Sequence, residues 1–287
     1  MRRAHAIIIL TLLVVLPVRA AQPKATLVPI GLGYARTCVN AGIFRRNSVI
    51  THGETQYAAY YDPHGRVVLA KRKLGSGRWQ KRVTQYRGNV RDAHNSISIT
   101  VDGEGTVITT ESCFLNKNRN PGWSKQEIEA ELCRTLGTEK VIWIPGDVKE
   151  TETDGHIDGI AAFVEPGVVL VEVNPDKTDP HYSVGQENMA ALKDQTDARG
   201  RKLQLEFIDE GIYHKDVWNG GCSSYINSYL ANGAVIVPGY EYDRDQAAVE
   251  TYRRLYPEKE VVQVQINNIA VGGGGVHCIT QQQPLPM

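Results

Sequence analysis

The stretch ITVDGEGTVITTESCFLNKNRNPGWSKQEIEAELCRTLGTEKVIWI, residues 99–144, decides the architecture. It opens as a hairpin, with one strand from Ile99 to Val101, a turn at Asp102-Gly-Glu-Gly105 and a second strand from Thr106 to Thr109. A helix follows. Its start is the capping box Ser124-x-x-Glu127, its apolar face is Ile128, Leu132 and Leu136, and its stop is Gly137. The apolar run Lys140 to Ile144 closes the unit as a short strand. The same order recurs with a strand at 161–164, a turn at Glu165-Pro-Gly167, a strand at 168–173, a helix over 184–198 and a strand at 203–208. It recurs again with Tyr229-Leu230, a turn at Ala231-Asn-Gly233, a strand at 234–237, a helix over 244–256 closed by Pro257, and a strand at 260–265. A final strand is predicted from Val276. The turn glycines Gly105, Gly167 and Gly233 are 62 and 66 residues apart. A ββαβ unit of this size cannot bury both faces of its sheet alone, so the units must pack on one another. The pattern predicts an α/β fold of about three visible units, arranged radially with helices outside and strand ends gathered around a central site.

Upstream of this repeat the pattern changes. Residues 41–100 carry strand signals: Gln56 to Tyr61, the turn Asp62-Pro-His-Gly65, Arg66 to Lys71, a turn at Gly75-Ser-Gly77 and an alternating run through Val83. No helical period interrupts them, so an all-β segment is expected. Further upstream, Met1-Arg2-Arg3 precedes an apolar stretch from Ala6 to Val18 and small residues around Ala20. This reads as a signal peptide, too short for a membrane span. The expected organisation is a signal peptide at 1–20, an all-β segment at 21–100 and an α/β domain at 101–287. It implies an exported, periplasmic or secreted protein with no stable membrane insertion after cleavage.

The 287 residues carry 32 Lys+Arg and 32 Asp+Glu, a formal net charge of zero. Such a balance excludes the dominant basic field that nucleic-acid binding requires. The five cysteines, at 38, 113, 133, 222 and 278, show no metal-type spacing, and their odd number leaves at least one thiol unpaired.

Two segments gather groups that can do chemistry. In Thr153-Asp-Gly-His-Ile-Asp158, just before an apolar run, extended backbone would put His156 and Asp158 on one face. Near the other end, Gly272 to Gly275 lead into Val276-His-Cys278. Four glycines suit backbone that passes close to a ligand, and the cysteine after them is a candidate nucleophile. Taken singly, Cys278 also fits a buried packing position, His156 a structural histidine and the glycines a linker. Taken together, Cys, His and Asp beside glycines favour a thiol enzyme.

The stretches VDGEGTVITTESCFLNKNRNP, KVIWIP, ETDGHIDGIAAFV, SYINSYLANGAVIVP and GGGGVHCITQQQP, in that order, resemble the agmatine deiminase family. That family is grouped with bacterial peptidyl-arginine deiminases among guanidine-modifying enzymes of pentein type, five-bladed α/β propellers. The resemblance covers about 185 residues from Asp102 onward. It implies Cys278 as nucleophile, His156 as acid/base and Asp158 as a carboxylate that holds the guanidinium. It further implies that Asn227 lies near the nucleophile, that the Gly274 and Gly275 backbone lies beside the substrate, and that no metal or organic cofactor takes part. The implied reaction converts agmatine and water to N-carbamoylputrescine and ammonia. A peptidyl-arginine substrate is the alternative within the class.

The chain also departs from that family. Its usual Glu-Gly-Gly-Ser-Ile-His stretch is replaced by Asn95-Ser-Ile-Ser-Ile-Thr100. Its Arg-Asp-x-Gly-Pro motif, whose Asp is a second guanidinium carboxylate, is missing, and Arg91-Asp92 is followed by Ala93-His94. The front portion, from Phe44 to the turn at Gly105, instead resembles an opening blade of secreted BNR-type β-propellers. The chain therefore reads as a fusion whose α/β ring is incomplete. Open sheet edges in such a ring invite pairing with further copies. An impaired site is one expectation, and a non-catalytic, polysaccharide-binding propeller fragment is the competing one.

Overall fold

The computed structural model describes residues 28–31, 49–64, 66–87, 98–117, 119–150, 153–211, 222–271 and 273–280. The expected signal peptide at 1–20, Cys38 and Asp92 lie outside the described residues.

Residues 49–87 form a four-stranded antiparallel sheet in sequential order, from β1 (Val49–His52), β2 (Thr55–Tyr61), β3 (Arg66–Lys73) and β4 (Gln80–Arg87). Alternation shapes it: on β3, Val68 and Ala70 are buried while Leu69 between them faces out. The β2–β3 turn is closed by Asp62, whose carboxylate accepts the amides of His64 and Arg66, both at 2.9 Å.

The three ββαβ units follow as the spacing predicts. The first contains β5 (Ile99–Val101), β6 (Thr106–Thr110), the single turn α1 (Glu111–Phe114), α2 (Lys125–Leu136) and β7 (Lys140–Ile144). The second has β8 (Ala161–Glu165), β9 (Val168–Val173), α3 (Tyr182–Leu192) and β10 (Gln204–Asp209). The third has β11 (Tyr229–Leu230), β12 (Ala234–Gly239), α4 (Asp245–Leu255) and β13 (Glu260–Gln265). In each, the middle strand pairs antiparallel with the strand before it and parallel with the strand after its helix. The parallel closure is what the intervening helix makes room for. One-turn helices α5 (Asn267–Ala270) and α6 (Val276–Ile279) end the described chain.

Side chains knit consecutive units together. All five residues of β6 are buried, three of them threonines. Thr106 Oγ1 accepts the Ala198 amide at 2.9 Å, Thr109 Oγ1 donates to Ser98 O at 2.6 Å, and Thr110 Oγ1 donates to Gly155 O at 2.8 Å. From α3, the fully buried Asn188 accepts the Gly146 amide at 2.8 Å and donates to the Gly146 carbonyl at 3.1 Å. The apolar core joins the second unit to its neighbours on both sides: Ile108, Ile142 and Ile144 pack with Val169, Val171 and Leu192. Leu170 and Ile208 pack with Tyr225, Val235, Val237 and Tyr252.

Four local expectations need correction. His156 and Asp158 do not enter β8 extended, because Ile157–Gly159 coil into a 3-10 turn in which the Gly159 amide bonds to His156 O at 3.3 Å. The segment from Val276 is α6 rather than a strand, because the Asn227 carbonyl and side chain take the His277 amide. The second helix stops at Leu192, short of 198, where Gln195 and Leu203 pair instead. Leu136 lies toward solvent, while Ile128 and Leu132 are buried. The capping box is present as read: Ser124 Oγ receives the Glu127 amide, and the Glu127 carboxylate receives the Ser124 amide.

The unit interface makes a stability prediction. Leu192→Ala, at a fully buried site, should cost about 2–5 kcal/mol in urea unfolding. Leu136→Ala should cost less than about 1 kcal/mol. Equal losses would contradict the packing described.

Candidate active site

The turn that carries His156 is built for tight packing. Gly155 has φ +76°, and a Cβ there would lie 2.6 Å from both the amide and the carbonyl of Asp147, so only glycine fits. Its amide donates to Glu150 Oε2 at 3.0 Å and its carbonyl accepts from Thr110. Ser98 Oγ takes the Ile157 amide. Arg119, almost wholly buried, supports the turn from the first unit. Its Nε pairs with Asp154 at 3.1 Å, and its Nη2 donates to Thr153 O at 2.8 Å and lies 3.4 Å from His156 Nε2. A guanidinium only donates, so this approach suits an imidazole whose lone pair is on Nε2 and whose proton is on Nδ1. His156 Nδ1 in turn faces Asp158 Oδ1 at 3.9 Å.

The thiol reaches the same carboxylate from the other end of the chain. Cys278 Sγ is 3.6 Å from Asp158 Oδ2, and His277 Nδ1 is 2.7 Å from that same oxygen. Asn227 fixes the cysteine. Its Nδ2 donates to Sγ at 3.2 Å, and its Oδ1 accepts the amides of His277 at 2.9 Å and Cys278 at 3.3 Å. Gly275 makes room for that amide, since a Cβ there would sit 2.6 Å from Asn227 Cγ.

These groups open on a cavity of about 420 Å3 whose wall includes His156, Asp158, Asn227 and Cys278. The lining carries the carboxyl groups of Asp147, Glu150, Asp158, Glu172 and Glu210 and the imidazoles of His156 and His181, with no Lys or Arg among the described lining residues. Such a wall favours a cationic ligand. Asp147 and His181 are paired at 2.8 Å. Burial opposes ionisation of Asp147, but the His181 hydrogen bond and charge, together with the amides of Lys149 and Glu150, outweigh it and hold the carboxyl low, and the His181 bond in turn raises His181. Burial raises both Glu172 and Glu210; at Glu172 the shift is large and the Glu210 charge adds to it, while the Ser223 hydrogen bond and the His181 charge pull Glu210 back. Burial first, and the Asp158 charge second, push the Cys278 thiol well above its ordinary range. The shift favours the thiol form of Cys278. No cluster of three metal-ligating side chains occurs among the described residues.

The structure thus brings together Cys278, His156, Asp158 and Asn227. It puts Gly273, not Gly274 or Gly275, on the cavity wall; those two are buried, Gly275 against Asn227. Cys222 also lines the cavity, and burial pushes its thiol up to about 12. Cys113, Cys133, Cys222 and Cys278 are all free thiols. Sequence reasoning missed His277, Arg119, Glu172 and Glu210. His277 adjoins the cysteine and Arg119 sits inside the NKNRNP stretch. Glu172 carried a clear signal: it is an acid within the otherwise apolar strand VVLVEV.

Comparison with known proteins agrees on one group. Residues 76–284 match the profile of the Porphyromonas-type peptidyl-arginine deiminases. A provisionally named agmatine deiminase 1 of Listeria monocytogenes is 42% identical over 205 residues, covering 65% of this chain and 56% of its own length. The structure of an agmatine deiminase of Enterococcus faecalis superposes with a TM-score of 0.62 at 35% identity, over 65% of this chain and 56% of that one. An agmatine deiminase of C. jejuni with substrate bound gives 0.57 at 26% identity, over 63% and 53%. The chain spans a little over half the length of the relatives it matches.

Two outcomes follow from the thiol environment. Iodoacetamide should label Cys278 slowly at neutral pH and faster as pH rises above the ordinary cysteine range, because its thiolate is disfavoured. A rate already flat at neutral pH would contradict the raised thiol. Gly275→Ala should displace the Asn227 amide and slow labelling of Cys278 in a chain that still folds, with peptide mass spectrometry as the readout; an unchanged rate would show that Asn227 does not hold the cysteine.

Proposed function

The chain belongs to the Porphyromonas-type peptidyl-arginine deiminase family, and from that membership we infer that it hydrolyses a guanidinium group. The observation that carries the reading is the meeting of Cys278, Asp158 and His156 in one acidic cavity, from segments about 120 residues apart. Agmatine is the favoured substrate, since the relatives at about 40% identity bear that name and the wall offers carboxylates beyond Asp158. A peptidyl-arginine side chain is the alternative, supported by the name of the matching family. The fold is α/β of the pentein type. A five-unit ring with three units in this chain, a BNR-type origin for the front sheet, and export directed by residues 1–20 belong to the same reading.

The chemistry follows from the groups present. A guanidinium carbon is a poor electrophile because its charge is delocalised, so a carboxylate must fix the planar group by paired hydrogen bonds. Asp158 has that role, and the incoming cation replaces His277 at Oδ2. The same positive charge offsets the burial and the Asp158 field that keep Cys278 protonated, so binding favours the thiolate. As the cation binds, Sγ gives up its proton to His156 and attacks the guanidinium carbon; the tetrahedral adduct collapses with cleavage of one C–N bond, and His156 passes that proton to the nitrogen that departs as ammonia. The remaining amidino-thioether on Cys278 is attacked by water deprotonated by His156. The C–S bond breaks, a ureido product departs and the thiol is restored. Asp158 is the one guanidinium carboxylate that the sequence motifs supply, so turnover is expected to be slow.

The test is colorimetric detection of ureido product from agmatine and from a peptidyl-arginine substrate. Product is expected from agmatine first, and Cys278→Ala should abolish it. Undiminished product from the alanine variant would exclude the cysteine mechanism. A haloacetamidine should label Cys278 faster than neutral iodoacetamide, because its amidinium can bind Asp158; equal rates would remove the carboxylate from the reading.

A further inference from the structure

We infer that Glu172 is a positioning residue for the nucleophile: its carboxyl anchors the segment Ser224–Ile226 and, through it, the Asn227 amide that holds Cys278. The inference rests on the reading of Cys278 as the attacking thiol.

Glu172 is the fifth of six residues in β9, after the buried run Val169, Leu170 and Val171, and pairs in register with Ile208 of β10. An acid in such a place needs hydrogen bonds to be tolerated. Ser224 supplies one, its Oγ donating to Glu172 Oε2 at 2.6 Å while accepting the Ile226 amide at 3.2 Å. The amides of Tyr225 and Ile226 also turn toward the carboxyl. The segment thus wraps around the tip of the Glu172 side chain, and the next residue is Asn227. Opposite, α4 completes a clamp: Tyr225 OH donates to Asp245 at 2.7 Å, and Tyr252 OH donates to Tyr225 O at 2.9 Å. The neighbouring Ser223 donates to Glu210 at 2.9 Å, so two successive serines are tied to two carboxyl groups rising from adjacent strands. Asn227 makes three side-chain hydrogen bonds within the His277–Cys278 pair, so a shift of its backbone moves Sγ relative to Asp158. Burial and the nearby Glu210 charge favour the neutral form of Glu172, which still accepts from Ser224 through its carbonyl oxygen.

The experiment compares the full chain with Glu172→Ala, Glu172→Gln, Asn227→Ala and the double variant Glu172→Ala/Asn227→Ala. A loosened nucleophile should lower kcat on the order of 10- to 100-fold in Glu172→Ala, with KM within about 3-fold. Glu172→Gln, whose amide oxygen can take the Ser224 hydroxyl, should recover most of the loss. The double variant should be no slower than Asn227→Ala alone, because both act through one contact. Iodoacetamide labelling of Cys278 at fixed pH should fall in the same order. That readout needs no turnover, so it separates this inference from the deiminase reading. A raised KM at unchanged kcat would make Glu172 a substrate contact and overturn the proposal, as would additive losses or equal labelling rates. If Glu172→Ala does not fold, Ser224→Ala removes the hydroxyl alone; slower labelling supports the anchor, and an unaltered rate overturns it.

Discussion

A three-stranded sheet whose middle strand is buried along its length cannot stand alone, and this constraint governs the molecule. Strand β6 shows it most plainly, with all five residues covered. Burying the second face requires a neighbouring unit, and the neighbour brings its own chain reversals to the strand ends. The turn at 153–159 enters β8 against Thr110 at the end of β6, and the segment 222–227 lies against Glu172 and Glu210 at the ends of β9 and β10. Packing and site assembly are therefore the same event. Residues with no sequence proximity meet because the units that carry them have no other way to complete their cores.

Electrostatics then decides what such a site can take. Several carboxyl groups face the cavity, and the buried ones at Glu172 and Glu210 are driven toward neutrality, while Asp147 stays ionised through His181. Asp147 and Asp158 are the wall carboxylates with imidazole partners, and Asp158 lies between two imidazoles and the thiol. On the proposed reading, a cation entering at Asp158 would find its countercharge already oriented and would offset the field that keeps Cys278 protonated.

Much of this was legible in the amino-acid order. The turn glycines, the Ser124–Glu127 box and the apolar runs located nearly every strand and helix of the repeat, because those signals are local. The motifs also named Cys278, His156, Asp158 and Asn227. What stayed hidden depends on contacts made across the chain. The 3-10 turn at Ile157–Gly159 is selected by Ser98, Thr110 and Arg119, none of which is near in sequence. Helix α6 forms because Asn227 takes the amides of His277 and Cys278, a bond invisible in Val276-His-Cys alone. The place of Glu210 was likewise unreadable, since an acid at the end of an exposed-looking strand gives no hint of burial.

The buried threonines of β6 have a consequence of their own. Each hydroxyl engages a backbone group on a different segment, near residues 98, 155 and 198. Valine at any of the three sites would fill the same space yet leave its partner unanswered, so the strand is specified by polarity as much as by shape. A slip by one residue would leave two of the three groups without a hydroxyl, because only the adjacent Thr109 and Thr110 can stand in for one another, at roughly 1–3 kcal/mol each. Hydrophobic matching alone would tolerate several alignments of neighbouring units. The threonine set works as a vernier that admits one of them, and the distance between Asp158 and Cys278 inherits its accuracy.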